Sequence, residues 1–98
     1  MIEFDRVMIW RRRASAPGEP PVYNDSTVSG RIVGRVRRRP SGEYGDTCDK
    51  IEALFAPPAE PAPGDLIRLE EEEFRVAESR PCPDLGGTLR GCRCTLLR

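Results

Sequence analysis

Pro63-Gly64-Asp65-Leu66-Ile67-Arg68-Leu69, then Phe74-Arg75-Val76-Ala77, then Pro81-Cys82-Pro83-Asp84-Leu85-Gly86-Gly87 and a last run from Leu89 onward decide how this chain folds. The stretch alternates turn and strand. Gly64-Asp65 makes a tight turn into Leu66, and Gly86-Gly87 can adopt the positive φ values of a hairpin loop. In the last strand Cys92, Cys94 and Leu96 share one face, with Arg93 and Thr95 on the other. Short consecutive antiparallel strands in a chain of 98 residues must close on themselves to bury an apolar face.

Working outward, residues 28–37 alternate in the same way. Val28, Gly30, Ile32, Gly34 and Val36 fall on one face, which is read as the inner one. Glycines at 30 and 34 suit a bent strand at a barrel corner, where a side chain would crowd the partner. Residues 2–12 are rich in β-formers and predict a first strand ending in arginines. Residues 14–27 hold three prolines and no period, which predicts a long loop. Residues 38–46 are turn-rich, and Thr47 to Phe55 predicts a third strand, with a helical turn at Asp49 to Leu54 as the competing reading. Residues 56–64 form a stiff proline-rich connector. The expectation is a single all-β domain over 1–98: a small, partly closed antiparallel β-barrel of five to six strands with long loops.

Composition agrees and narrows the chemistry. Ten prolines and nine glycines oppose long helices. No apolar run approaches the length of about 18 residues that a membrane span needs, and Arg11–Arg13 follow the apolar start instead of preceding it as in a secretory signal. A soluble protein without membrane contact is expected. Histidine is absent, so Ser–His and Cys–His nucleophile pairs are excluded, and no enzyme activity and no cofactor are expected.

Zero net charge conceals a polarity. Residues 1–39 carry nine arginines against four acids, +5, so the remainder carries −5. Such a split can join two halves of one fold, or dock one copy on another. Arg11, Arg12, Arg13, Arg35, Arg37, Arg38 and Arg39 cluster near strand ends, while lysine occurs only as Lys50. Arginine without lysine fits a solvated edge or a protein interface. Phosphate contact is the third reading, with Trp10 and Tyr44 available for base stacking. Glu70, Glu71, Glu72 and Glu73 read as a hydrated hairpin tip, or as the acidic half of a contact between subunits; they lack the spacing and glycine pivot of a calcium loop. Cys48, Cys82, Cys92 and Cys94 lack the paired C-x2-4-C spacing of a structural zinc site and read as core thiols, with metal and disulfide as the alternatives. Asp84 reads as a turn residue.

Residues 50–97 resemble the head–tail joining, or head-completion (stopper-like), proteins of tailed phages and prophages. The likeness lies in the turn at Pro61 to Asp65, the strand Glu73-Phe74-Arg75-Val76, Arg80-Pro81, the turn Asp84-Leu85-Gly86-Gly87 and the final Arg93 to Leu97. The Glu70–Glu73 run and the cysteine-rich last strand depart from the family pattern. The resemblance implies a β-barrel docking as a homo-oligomeric ring between the portal or its adaptor and the tail, helping to retain DNA, in the virion and the bacterial host cytoplasm. The loop 14–27 would reach a neighbour or the channel. It implies no catalytic residue and no metal. The expected site is therefore an interface built from the arginine clusters and Glu70–Glu73. The rival functions are a small nucleic-acid-binding barrel, making non-specific contact with DNA, and a zinc-dependent module.

Overall fold

A computed structural model describes residues 3–37, 49–83 and 89–98. Six strands are present: β1 (Arg6–Arg13), β2 (Tyr23–Arg37), β3 (Asp49–Phe55), β4 (Leu66–Leu69), β5 (Glu72–Pro83) and β6 (Leu89–Leu97). All neighbouring pairs are antiparallel, and the order β1-β2-β3-β6-β5-β4 closes into a barrel through β1–β4. The expected all-β barrel is thus present, and no helix occurs among the described residues. The competing helical turn at Asp49 to Leu54 is strand.

The order has a simple logic. β1-β2-β3 and β4-β5-β6 are each a three-stranded meander, and the two meet through antiparallel β1–β4 and β3–β6 pairs. The middle strand of each is long and divides its partners. β2 gives residues 23–30 to β1 and 30–37 to β3; β5 gives 72–75 to β4 and 75–83 to β6. Each carries a bulge in the part it gives to its second partner, between Ile32 and Gly34 and between Val76 and Glu78. Bulges sharpen the local twist that lets one strand serve two walls.

Inside lie Met8, Ile51, Phe55, Ile67, Leu69, Phe74, Val76, Cys92, Cys94 and Leu96. Burying each of the larger aliphatic and aromatic side chains stabilises the fold by about 1.5–3 kcal/mol. Cys92, Cys94 and Leu96 share the inner face as expected. Gly30 sits where β2 passes from β1 to β3. A Cβ there would collide with Met8 Cε and approach the Leu54 carbonyl to 2.9 Å. Gly34, by contrast, faces open space, so crowding does not explain it.

Several local expectations are corrected. The loop 14–27 is shorter, because Asn24, Asp25 and Ser26, weak β-formers alone, pair together with Thr27 against Arg12 to Ile9, and β2 begins at Tyr23. Val36 is exposed, not inward, because the bulge after Ile32 shifts the alternation: Arg35 now opposes buried Ile51 and Val36 opposes Lys50. Pro81-Cys82-Pro83 end strand β5 instead of forming a turn. The hairpin tip is only Glu70-Glu71, since Glu72 and Glu73 already pair with β4. The connector 56–64 is more than a spacer. It crosses from β3 to β4 and buries Ala59 and Pro61. The Gly86-Gly87 turn lies outside the described residues, as do Tyr44, Cys48 and Asp84.

Candidate functional site

Alternation along β1 turns Met8 and Trp10 inward and Val7, Ile9 and Arg11 outward. The outer wall is consequently uneven. The exposed large apolar side chains among the described residues are Val7 (69%), Ile9 (37%), Val22, Val33 and Val36, all on β1, β2 or the loop joining them. Arg68 lies beside Ile9 on β4, Arg75 follows on β5 and Arg31 stands on β2. All three are exposed, with no hydrogen-bond or ion-pair partner among the described residues. Apolar side chains among unpaired arginines are the composition of a protein interface.

The sequence-predicted interface residues fare differently. Arg11 Nε meets Asp25 Oδ1 at 3.1 Å and its Nη1 meets Glu73 Oε2 at 3.0 Å. The hydrogen bond it donates to Glu73, then that to Asp25, raises the guanidinium pKa still further. Arg6 pairs with Glu70 at 3.4 Å, Arg35 with Glu72 at 3.3 Å and Arg98 with Glu72 at 3.8 Å. The arginine-rich start and the glutamate run are thus brought together within one chain. Solvated pairs of this kind contribute about 0–1 kcal/mol each, so they set register more than stability. Glu71 is left exposed at the turn. The Arg12 guanidinium lies 6.0 Å from the centre of the Trp10 ring. Arg13 organises the β1–β2 loop: Nε donates to Ser15 Oγ, and Nη2 to the carbonyls of Ala16 and Glu19. The Arg37 side chain, Arg38 and Arg39 lie outside the described residues.

Beneath that loop, against the connector, lies a cleft of about 540 Å³ lined by Trp10, Arg12, Pro17, Pro58, Glu60 and Asp65. Asp65 is buried (5% exposed) and fully engaged. Trp10 Nε1–H donates to Oδ2 at 2.9 Å, Ala62 N–H to Oδ2 at 3.0 Å and Arg13 N–H to Oδ1 at 3.0 Å. A buried carboxylate holding three donors from β1 and the connector is a structural tie between them. The sequence showed Asp65 as a turn residue and missed this role. The available signal was Trp10, an inward indole whose N–H needs an acceptor.

Cys92 and Cys94 place their sulfurs 3.7 Å apart, and both lean toward the Pro61 carbonyl, at 4.0 and 3.8 Å. Ser79 Oγ is 3.0 Å from Cys92 Sγ. Burial, and then the neighbouring Cys92, push the Cys94 thiol up to about 12, so Cys94 is protonated at neutral pH and these weak donors hold the connector on β6. Among the described residues no group of three or more histidine, cysteine or acidic side chains converges as a metal site would require. No protein-family model matches this chain, and no curated protein matches it.

Proposed function

We propose that this protein works by docking, as a small structural barrel that joins a larger assembly. The observation that carries the reading is that the exposed large apolar side chains among the described residues all fall on the β1–β2 half, with Val7 and Ile9 on the outer face of β1 and the unpaired Arg68 opposite Ile9 on β4. Water-facing valines and isoleucine cost free energy in an isolated molecule and recover it when covered. The specific assembly is the head–tail joint of a tailed phage. That part rests on the likeness of residues 50–97 to the head-completion proteins, with portal, adaptor or tail proteins as partners. The site shifts from the arginine clusters as a whole to the groups that internal ion pairs leave over.

Pull-down with purified portal, adaptor and tail proteins from the same genome tests it. The expected result is retention of at least one of them, lost in Val7→Asp and Ile9→Asp variants that keep the barrel's circular dichroism. Failure to retain any would defeat the phage reading. Steep, salt-sensitive retention on a DNA column, lost with Arg31→Ala and Arg68→Ala, would favour the nucleic-acid barrel instead.

A further inference from the structure

Among the described residues, closure of the barrel leaves several strand edges without a partner strand, and one of them lies on β2. β3 runs beside β2 only as far as Phe55, opposite Gly30, and Ala56 N–H then donates to the Ser29 carbonyl at 2.9 Å. Beyond that point Pro57 and Pro58 carry the chain away into the connector, and, among the described residues, 23–28 of β2 are paired with β1 alone.

Register identifies which backbone groups are free. Ala14 N–H donates to the Val22 carbonyl at 2.7 Å, so that pair is hydrogen-bonded. Antiparallel ladders alternate. Asn24, Ser26, Val28 and Gly30 therefore turn their N–H and C=O groups toward β1, whereas Tyr23, Asp25, Thr27 and Ser29 turn theirs to the opposite edge. Two independent contacts agree with this phase. The Ser29 carbonyl does face β3, and Arg13, the opposite number of Tyr23, sends its N–H to Asp65 instead of across the hairpin.

An open edge is normally blunted by proline, lysine or a bulge. The outer edge of β5 carries a bulge after Val76 and Pro81 and Pro83, and the far half of β2 carries its own bulge. Residues 23–28, Tyr-Asn-Asp-Ser-Thr-Val, have no proline, lysine or bulge; their one charged side chain, Asp25, is paired with Arg11 at 3.1 Å.

We propose that a second copy of this chain pairs here, edge to edge and antiparallel, about a twofold axis at Asp25. The register is self-complementary. Tyr23 of one copy falls opposite Thr27 of the other, an aromatic and β-branched cross-strand pair of the stabilising kind. The two Asp25 carboxylates meet at the axis, each already held by its own Arg11 at 3.1 Å, so two guanidinium groups offset two negative charges. A continuous sheet then runs through both barrels and satisfies the outward backbone groups of Tyr23, Asp25 and Thr27 in each. The inference stands apart from the phage reading, since it concerns the protein alone.

Thr27→Pro is the direct test, because it removes an N–H that serves only the open edge and leaves every bond to β1 in place. Sedimentation of the full chain over a wide concentration range should give the dimer for wild type and the monomer for Thr27→Pro. Ser26→Pro, which removes an N–H used in the β1 ladder, should damage the fold itself. Amide exchange of the wild-type protein gives a readout that needs no variant: the Tyr23, Asp25 and Thr27 amides should slow as concentration rises, while Asn24 and Ser26 stay unchanged. A wild-type monomer at all concentrations, a Thr27→Pro dimer of undiminished affinity, or protection without that alternation would each overturn the proposal.

Discussion

The two meanders answer the same topological demand with different surfaces. In β1-β2-β3 the middle strand bends at a glycine, the first hairpin carries a loop ordered by Arg13, and five large apolar side chains face water. In β4-β5-β6 the corresponding hairpin turns on Glu70-Glu71, the open edge holds two prolines, and no large apolar side chain is exposed among the described residues. The fold works with either treatment. What the first half has in excess is therefore not needed to build the barrel, and that excess is where a functional surface is to be sought.

The largest expected effect breaks the separation of the halves. Asp65 immediately precedes β4, the entry strand of the second half, yet holds Trp10 and Arg13 of the first. Asp65→Ala strands three donors, and thermal or denaturant unfolding should show a loss of about 3 kcal/mol. A loss below about 1 kcal/mol would mean that the β1–β2 arm stands without its tie to the connector. A smaller effect sharpens the view of the bend. Gly30→Ala should cost about 1–3 kcal/mol, because its methyl group meets Met8 and the Leu54 carbonyl. Gly34→Ala, in open space, should fall within about 0.5 kcal/mol of wild type. Equal effects at the two positions would move the corner away from Gly30. A modest effect of opposite sign lies in the second half. Glu70 holds φ at +58°, where glycine is at ease and other residues are strained. Glu70→Gly should stabilise by about 0.5–1 kcal/mol, since the lost partner, Arg6 at 3.4 Å, is an exposed pair of little worth.

Legibility in the sequence followed distance along the chain. Alternation in residues 92–96 and the Gly64-Asp65 turn are local signals, and the inner cysteines and the start of β4 were read correctly from them. The extent of β2 was not legible, because Asn24 to Thr27 become strand only through pairing with Ile9 to Arg12. Val36 was misplaced because a bulge resets a period-two pattern without leaving a mark in residue type. The charge polarity was visible, but whether Arg11 met Glu73 of its own chain or of a neighbour was not.

By itself the sequence determined that this would be an all-β barrel of short strands, because its prolines, glycines and two-residue alternation leave few other ways to bury an apolar face. It also determined that imidazole chemistry is absent. Only the tertiary structure decided that Arg6, Arg11 and Arg35 pair with the glutamates of their own chain, that Asp65 is a buried tie, and that β2 keeps an open edge among the described residues. Each of these depends on which strand lies beside which, and that is fixed by closure of the sheet as a whole, not by any local run of residues.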